Sequence, residues 1–180
     1  MRTQISARCK KSRYMKDRTT KLYNILFPIW LLIWFPLFWI VLIPANYVID
    51  YFVLYCSLKG NAEKKTLCRK NTWKICLVGF FADCLGSGFL FLIMLLTGSD
   101  TPNWVQQIGP ALNMNPFETF MSFLVTTLAV VFCAAMIYFL DRIVLQRAGM
   151  SEKQVRKSAF FLAAFTAPYL FFIPSKILYI

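Results

Sequence analysis

The alternation of apolar stretches and basic segments constrains this chain more than any other feature of its sequence. Long apolar stretches alternate with short segments that together hold 19 of the 20 Lys and Arg residues. A soluble domain must cover its surface with polar side chains, yet 58% of this chain is hydrophobic. A bilayer removes the conflict, because apolar side chains face lipid while the charges gather in loops. The pattern therefore predicts a multi-pass membrane protein.

The longest apolar run, residues 22–58, determines how many spans the sequence predicts. A helix needs about 20 residues to cross the hydrocarbon, so this run is too long for one span and sufficient for two. Its natural hinge is the segment Pro44-Ala45-Asn46. We predict an all-α, polytopic transmembrane helix bundle of about five spans, the first two forming a proline-broken hairpin. The predicted spans are 22–43, 47–58, 73–97, 117–140 and 158–174, in a transmembrane domain (22–180) that follows a basic tail (1–21).

The positions of the basic segments predict the orientation. Short segments rich in Lys and Arg stay in the cytoplasm, which places the tail, residues 59–74 and residues 142–157 inside. The loop 98–117 has no Lys or Arg and is placed outside. This pattern requires an even number of crossings before residue 59, with the N-terminus cytoplasmic and the C-terminus outside. A re-entrant hairpin also satisfies it, whereas a cleaved signal peptide ending near Ala45 is disfavoured by the length of the apolar run.

The net charge of +12 raises the question of a nucleic-acid partner. The positive residues flank apolar stretches, and no aromatic stacking platform or nucleic-acid motif accompanies them, so no nucleic-acid partner is predicted. The predicted partners are the lipid bilayer and, through the basic tail, its anionic headgroups. A membrane-protein partner or a homo-oligomer is compatible with the same sequence.

Motifs for enzymatic chemistry are missing from the sequence. The chain has no histidine, which removes the commonest metal ligand and general base, and we predict no metal, cofactor or catalytic residue. No phosphate-binding loop, HExxH or GxSxG motif is present. Asp50 and Asp83 lack the Tyr-Asp and Gly-x-Gly-Asp contexts of intramembrane aspartyl proteases. The sequence therefore favours a protein that is not an enzyme.

Two acidic residues lie inside predicted spans, where an aspartate near the helix centre costs about 2.5–3.5 kcal/mol to insert. Asp83 lies midway along the third span, and Asp50 lies near the start of the second, one helical turn after Asn46. We predict an intramembrane polar site formed by Asp83, Asp50 and Asn46. Asp83 has two interpretations: a proton-binding or ion-binding site, or a neutral carboxyl hydrogen-bonded to a neighbouring helix. For Asp50, a hydrogen bond with Asn46 is favoured.

A stripe of small residues shares one helical face with the aspartate of the third span. Gly79, Ala82 and Gly86 follow the i, i+3, i+7 spacing of such a face. Small residues let a neighbouring backbone approach closely, so this face is predicted to pack against another helix. At the end of the fourth span, Asp141 is expected to pair with Arg142 or with the basic loop that follows.

Three short sequences, LFPIW, LIPANYVID and GFFADCLG, resemble those of small, uncharacterised multi-pass membrane proteins of Gram-positive bacteria. The similarity covers about the first half of the chain. It implies a bacterial cytoplasmic membrane and carries no activity with it.

Two functions are compatible with this sequence. The favoured one is a small transport or channel component whose intramembrane carboxylates bind a proton or a cation. The alternative is a non-catalytic accessory or assembly subunit of a membrane complex, which docks another helix on its small-residue face.

Overall fold

The computed structural model describes residues 29–58, 63–97, 101–175 and 177. This part of the chain is all-helical, without a β-strand, so the predicted fold class is confirmed at that level. A 3-10 helix, Ile29–Trp34, precedes the first α-helix, and a second, Tyr169–Phe172, follows the last. The α-helices are α1 (Pro36–Ser57), α2 (Lys64–Leu96), α3 (Asn103–Gln106), α4 (Ile108–Met114), α5 (Phe120–Arg147) and α6 (Glu152–Thr166).

Three of these helices are long and apolar enough to cross a membrane, within the described residues. They are α1, α2 and α5, with 22, 33 and 28 residues. Their outward surface is strongly apolar: Ile40, Leu96 and Phe120, one on each helix, are 72%, 62% and 74% exposed. Large apolar side chains at this exposure are unfavourable in water and favourable in lipid. The long helices therefore indicate a membrane location for the protein.

The predicted hinge at Pro44 is wrong, because Pro44 lies inside the continuous helix α1. Its side chain is exposed on the outer surface of the bundle, so the missing N–H costs one backbone hydrogen bond without a steric clash against a neighbouring helix. The chain bends earlier instead. Phe35 is extended (φ −98°, ψ 115°) and Pro36 begins the helix, which matches the extended backbone favoured before a proline and the suitability of proline at the first helical position.

The boundaries of the other predicted spans also change. Helix α2 begins nine residues before the predicted third span, and α5 continues to Arg147, seven residues past the predicted end of the fourth. The predicted outer loop contains α3 and α4. The predicted fifth span, 158–174, is interrupted: α6 ends at Thr166, and Pro168 precedes the second 3-10 helix. The tail 1–21 and the first residues of the first span, 22–28, lie outside the described residues.

Helices α1 and α2 form an antiparallel pair. The Trp34 indole donates a hydrogen bond to Ser87 Oγ (2.8 Å), near the far end of α2. At the other end, the Lys64 ammonium lies over the Tyr55 ring, 4.4 Å from its centroid. Between these contacts, the Trp39 and Phe80 rings meet edge to face at 5.1 Å.

Helices α5 and α6 complete a four-helix bundle. The turn between them contains Gly149, whose φ of +79° is strained for any residue with a side chain. Leu58, Cys68, Leu145 and Val155 form part of one buried cluster. This cluster brings the ends of α1 and α5 together with the starts of α2 and α6.

The same end of the bundle holds the basic residues of α2, α5 and α6. Residues 89–123, which include the opposite end, contain no Lys or Arg. Among the described residues, the positive charge is therefore segregated to one end of the fold, which is compatible with the positive-inside rule. The orientation of that end toward the cytoplasm stays a prediction.

Candidate functional site

Helix α1 buries Asp50 inside the bundle. Only 3% of the residue is exposed, although Ile49 and Phe52 beside it point outward. The side chain of Thr166, in the last turn of α6, lies near the Asp50 carboxyl, and its hydroxyl donates a hydrogen bond to the Leu162 carbonyl at 2.8 Å. The predicted hydrogen bond between Asn46 and Asp50 is wrong: both side chains are described, and no hydrogen bond joins them. Helix α6 therefore approaches Asp50, which sequence spacing along α1 does not indicate.

Helix α2 contributes Asp83. Its Oδ1 atom is shielded from solvent and has no hydrogen-bond partner among the described residues. Asp83 and Asp50 interact electrostatically, so the fold brings these two predicted site residues from different helices into one environment. Asn46 is half-buried and contributes no polar contact to this environment.

The third carboxyl, Asp141 on α5, was not recognised as a site residue in the sequence. It is completely buried, and neither of its carboxyl oxygens has a hydrogen-bond partner in the described part of the chain. Asp141 also interacts electrostatically with Asp50. The expected pairing with Arg142 is wrong, because Arg142 instead contacts Glu152 at 3.4 Å.

A signal for the burial of Asp141 was present in the sequence. Cys133, Ile137, Asp141 and Leu145 recur at a spacing of four residues and are all buried. They therefore form one inward stripe along α5. Ending the predicted span at Leu140 removed Asp141 from that stripe and placed it in a loop.

The electrostatics of the three carboxyls are unusual because no basic side chain in the described ranges forms an ion pair with them. The two ion pairs found among the described residues both use Glu152, with Arg142 and Arg156 as partners. No three His, Cys, Asp or Glu side chains in that part of the chain are close enough together to hold a metal ion. Asp50 influences both Asp83 and Asp141 electrostatically, so the three carboxyls share one region of the bundle.

The predicted small-residue face lies next to these carboxyls. The Cys133 thiol of α5 donates a hydrogen bond to the Ala82 carbonyl at 3.2 Å. A Cβ added at Gly86 would overlap the Cys133 sulfur and lie 3.0 Å from the Phe171 ring, whereas one added at Gly79 would meet no atom within 4 Å. Ala82 and Gly86 therefore pack within the chain, and Gly79 is open.

Comparison with protein-family models, curated proteins and solved structures gives no match to this chain.

Proposed function

We propose that this protein is a small proton-translocating component of a membrane, with Asp50, Asp83 and Asp141 as its proton-binding groups. The observation that carries this proposal is that three long apolar helices each carry one carboxyl that is partly or fully shielded from solvent. Asp50 and Asp141 are buried, Asp83 has one shielded oxygen, and no basic side chain among the described residues pairs with them. An aspartate near a helix centre costs about 2.5–3.5 kcal/mol to insert, and Asp83 lies near the centre of α2. Ionisable groups inside membrane spans are rare for this reason, so a role in function is the simplest reason to retain them.

The arrangement favours protons over metal ions. A carboxyl shielded from water becomes neutral by binding either a proton or a cation. A bound metal cation would need several oxygen ligands at one point. The three carboxyls instead lie on three helices and are coupled in pairs through Asp50. Each can hold a proton singly, and Asp50 would pass protons between the other two.

A flux measurement in proteoliposomes tests this function. Purified protein is reconstituted with a pH-sensitive dye inside, and a potassium diffusion potential drives protons inward. We expect acidification with the wild-type chain and a fall to the level of empty liposomes for Asp50→Asn and Asp83→Asn, because an amide cannot bind and release a proton at these positions.

The matched control is Glu118→Gln, which removes an acid that is exposed and outside the helices. Flux should be unchanged in this variant. Wild-type flux no greater than that of empty liposomes, or full flux in Asp83→Asn, would rule out proton translocation. Flux of sodium or potassium in place of protons would show that the same carboxyls bind a metal cation and not a proton.

The second candidate is an accessory subunit that docks another helix. Of the small-residue face, Gly79 alone has no neighbouring atom within 4 Å of an added Cβ, so it is the position at which a partner helix could approach. In this role, Gly79→Leu should abolish co-purification of a membrane partner while Asp83→Asn retains it. Retention of the partner by Gly79→Leu would argue against docking at this face.

A further inference from the structure

A groove on the lipid-facing surface separates α1 from α6. It has a volume of about 520 Å³, and its apolar lining includes Ile49 and Val53 on α1 and Phe161 and Phe165 on α6. The two phenylalanine rings stack one helical turn apart, with centroids 6.1 Å from each other, and form a flat wall. The volume lies within the range of about 300–1,000 Å³ that is typical of small-molecule sites.

One end of this groove is positively charged. Lys157 lines it at the level where the Ser57 and Ser158 hydroxyls are hydrogen-bonded at 2.8 Å between the two helices. Among the described residues, no carboxylate pairs with Lys157. The groove then runs from Lys157 to Phe165, eight residues along α6 or about 12 Å. It is therefore an apolar channel with a single ammonium group at its basic end.

We propose that this groove binds one anionic phospholipid, with an acyl chain against Phe161 and Phe165 and the phosphate at Lys157. The charge of Lys157 complements a phosphate, and the apolar walls complement a hydrocarbon chain. An extended acyl chain is narrow enough to lie along this groove between the two helices.

Photolabelling tests this site. The full-length protein is reconstituted into phosphatidylcholine vesicles containing a trace of phosphatidylglycerol that bears a photoreactive group on its acyl chain, and the labelled peptides are mapped. We expect label in residues 49–57 and 157–165. Lys157→Gln should reduce labelling by phosphatidylglycerol about fivefold, the effect of losing one basic contact near the membrane surface. Labelling by the matching phosphatidylcholine probe should stay unchanged.

Matched variants separate the headgroup contact from the acyl-chain contact. Lys153 lies one helical turn before Lys157 and does not line the groove. Lys153→Gln removes the same charge and should leave labelling unchanged. Val53→Trp fills the groove and should reduce labelling by both probes, whereas Val131→Trp on the exposed face of α5 should not. Thermal unfolding of each variant in detergent shows whether it is folded.

Three outcomes would overturn the proposal. Equal labelling of the wild-type groove by the phosphatidylglycerol and phosphatidylcholine probes would show that Lys157 does not select an anionic headgroup. Undiminished labelling of a folded Val53→Trp variant would place the lipid elsewhere. Crosslinks from the groove to a second copy of the chain, in place of lipid, would make it a protein interface. None of these outcomes depends on proton flux, so the lipid site and the proposed function are tested separately.

Discussion

Replacing Gly86 with leucine is expected to destabilise the bundle by about 3 kcal/mol or more, at the upper end of the usual overpacking range. The first added carbon would already overlap the Cys133 sulfur and crowd the Phe171 ring. Both neighbours are buried, at 0% and 3% exposure, so neither can move aside into solvent. The measurement is unfolding of the purified variant in mixed micelles of increasing SDS content.

Gly79→Leu is the control for this prediction, because it makes the same chemical change seven residues earlier on the same helical face. A Cβ at Gly79 meets no atom within 4 Å, and replacing a helical glycine with leucine improves helix propensity by up to about 0.8 kcal/mol. Its stability should therefore equal or slightly exceed that of the wild type. Equal stability of the two variants would show that α2 and α5 do not pack at Gly86.

Replacing Asp141 with alanine is expected to raise the free energy of unfolding by about 1–2 kcal/mol. A buried polar group without a hydrogen bond costs about 1–3 kcal/mol, and both oxygens of Asp141 are in that state among the described residues. The small cavity left by the truncation offsets part of the gain. The same SDS titration measures the change, and proton flux in proteoliposomes should fall, because a proton-binding group is lost.

Glu118→Ala serves as the comparison for the Asp141 variant. Glu118 is exposed and outside the helices, so its removal should change stability by less than about 0.5 kcal/mol. A gain in stability together with a loss of flux is the expected result when a buried charge is retained for function at the expense of stability. A destabilised Asp141→Ala variant would instead indicate that the carboxyl has a stabilising partner.

Features that depend on local spacing were predictable from the sequence. The apolar runs predicted helices at the positions of α2 and α5, since a helix needs only a sufficient length of suitable residues, whereas α1 was predicted as two spans broken at Pro44. The spacing of Gly79, Ala82 and Gly86 predicted a packing face, and Ala82 and Gly86 do lie against a neighbouring element. Asp50 and Asp83 stood out because an acid in an apolar run is costly in lipid.

Features that depend on a distant partner were not predictable. Asp50 is expected from its spacing to bond with Asn46, but its carboxyl lies near Thr166, which is 116 residues away in the chain. The break expected at Pro44 occurs at Phe35 and Pro36, because an outward-facing proline is tolerated within a helix whose neighbours hold it in place. The polar loop expected beyond Leu140 is a further two turns of helix, with Asp141 and Leu145 facing inward.

The amino-acid sequence alone determined that the chain forms long apolar helices, because their formation follows from the transfer of side chains between water and lipid, and it predicts that the basic segments lie on one side. Tertiary packing alone decided which acids become neighbours and which glycine is enclosed. Those contacts join α1, α2, α5 and α6 across long separations in sequence. The rotation of each helix about its axis and the angles at which the helices cross determine these contacts. Neither quantity is encoded in the periodicity of a single helix.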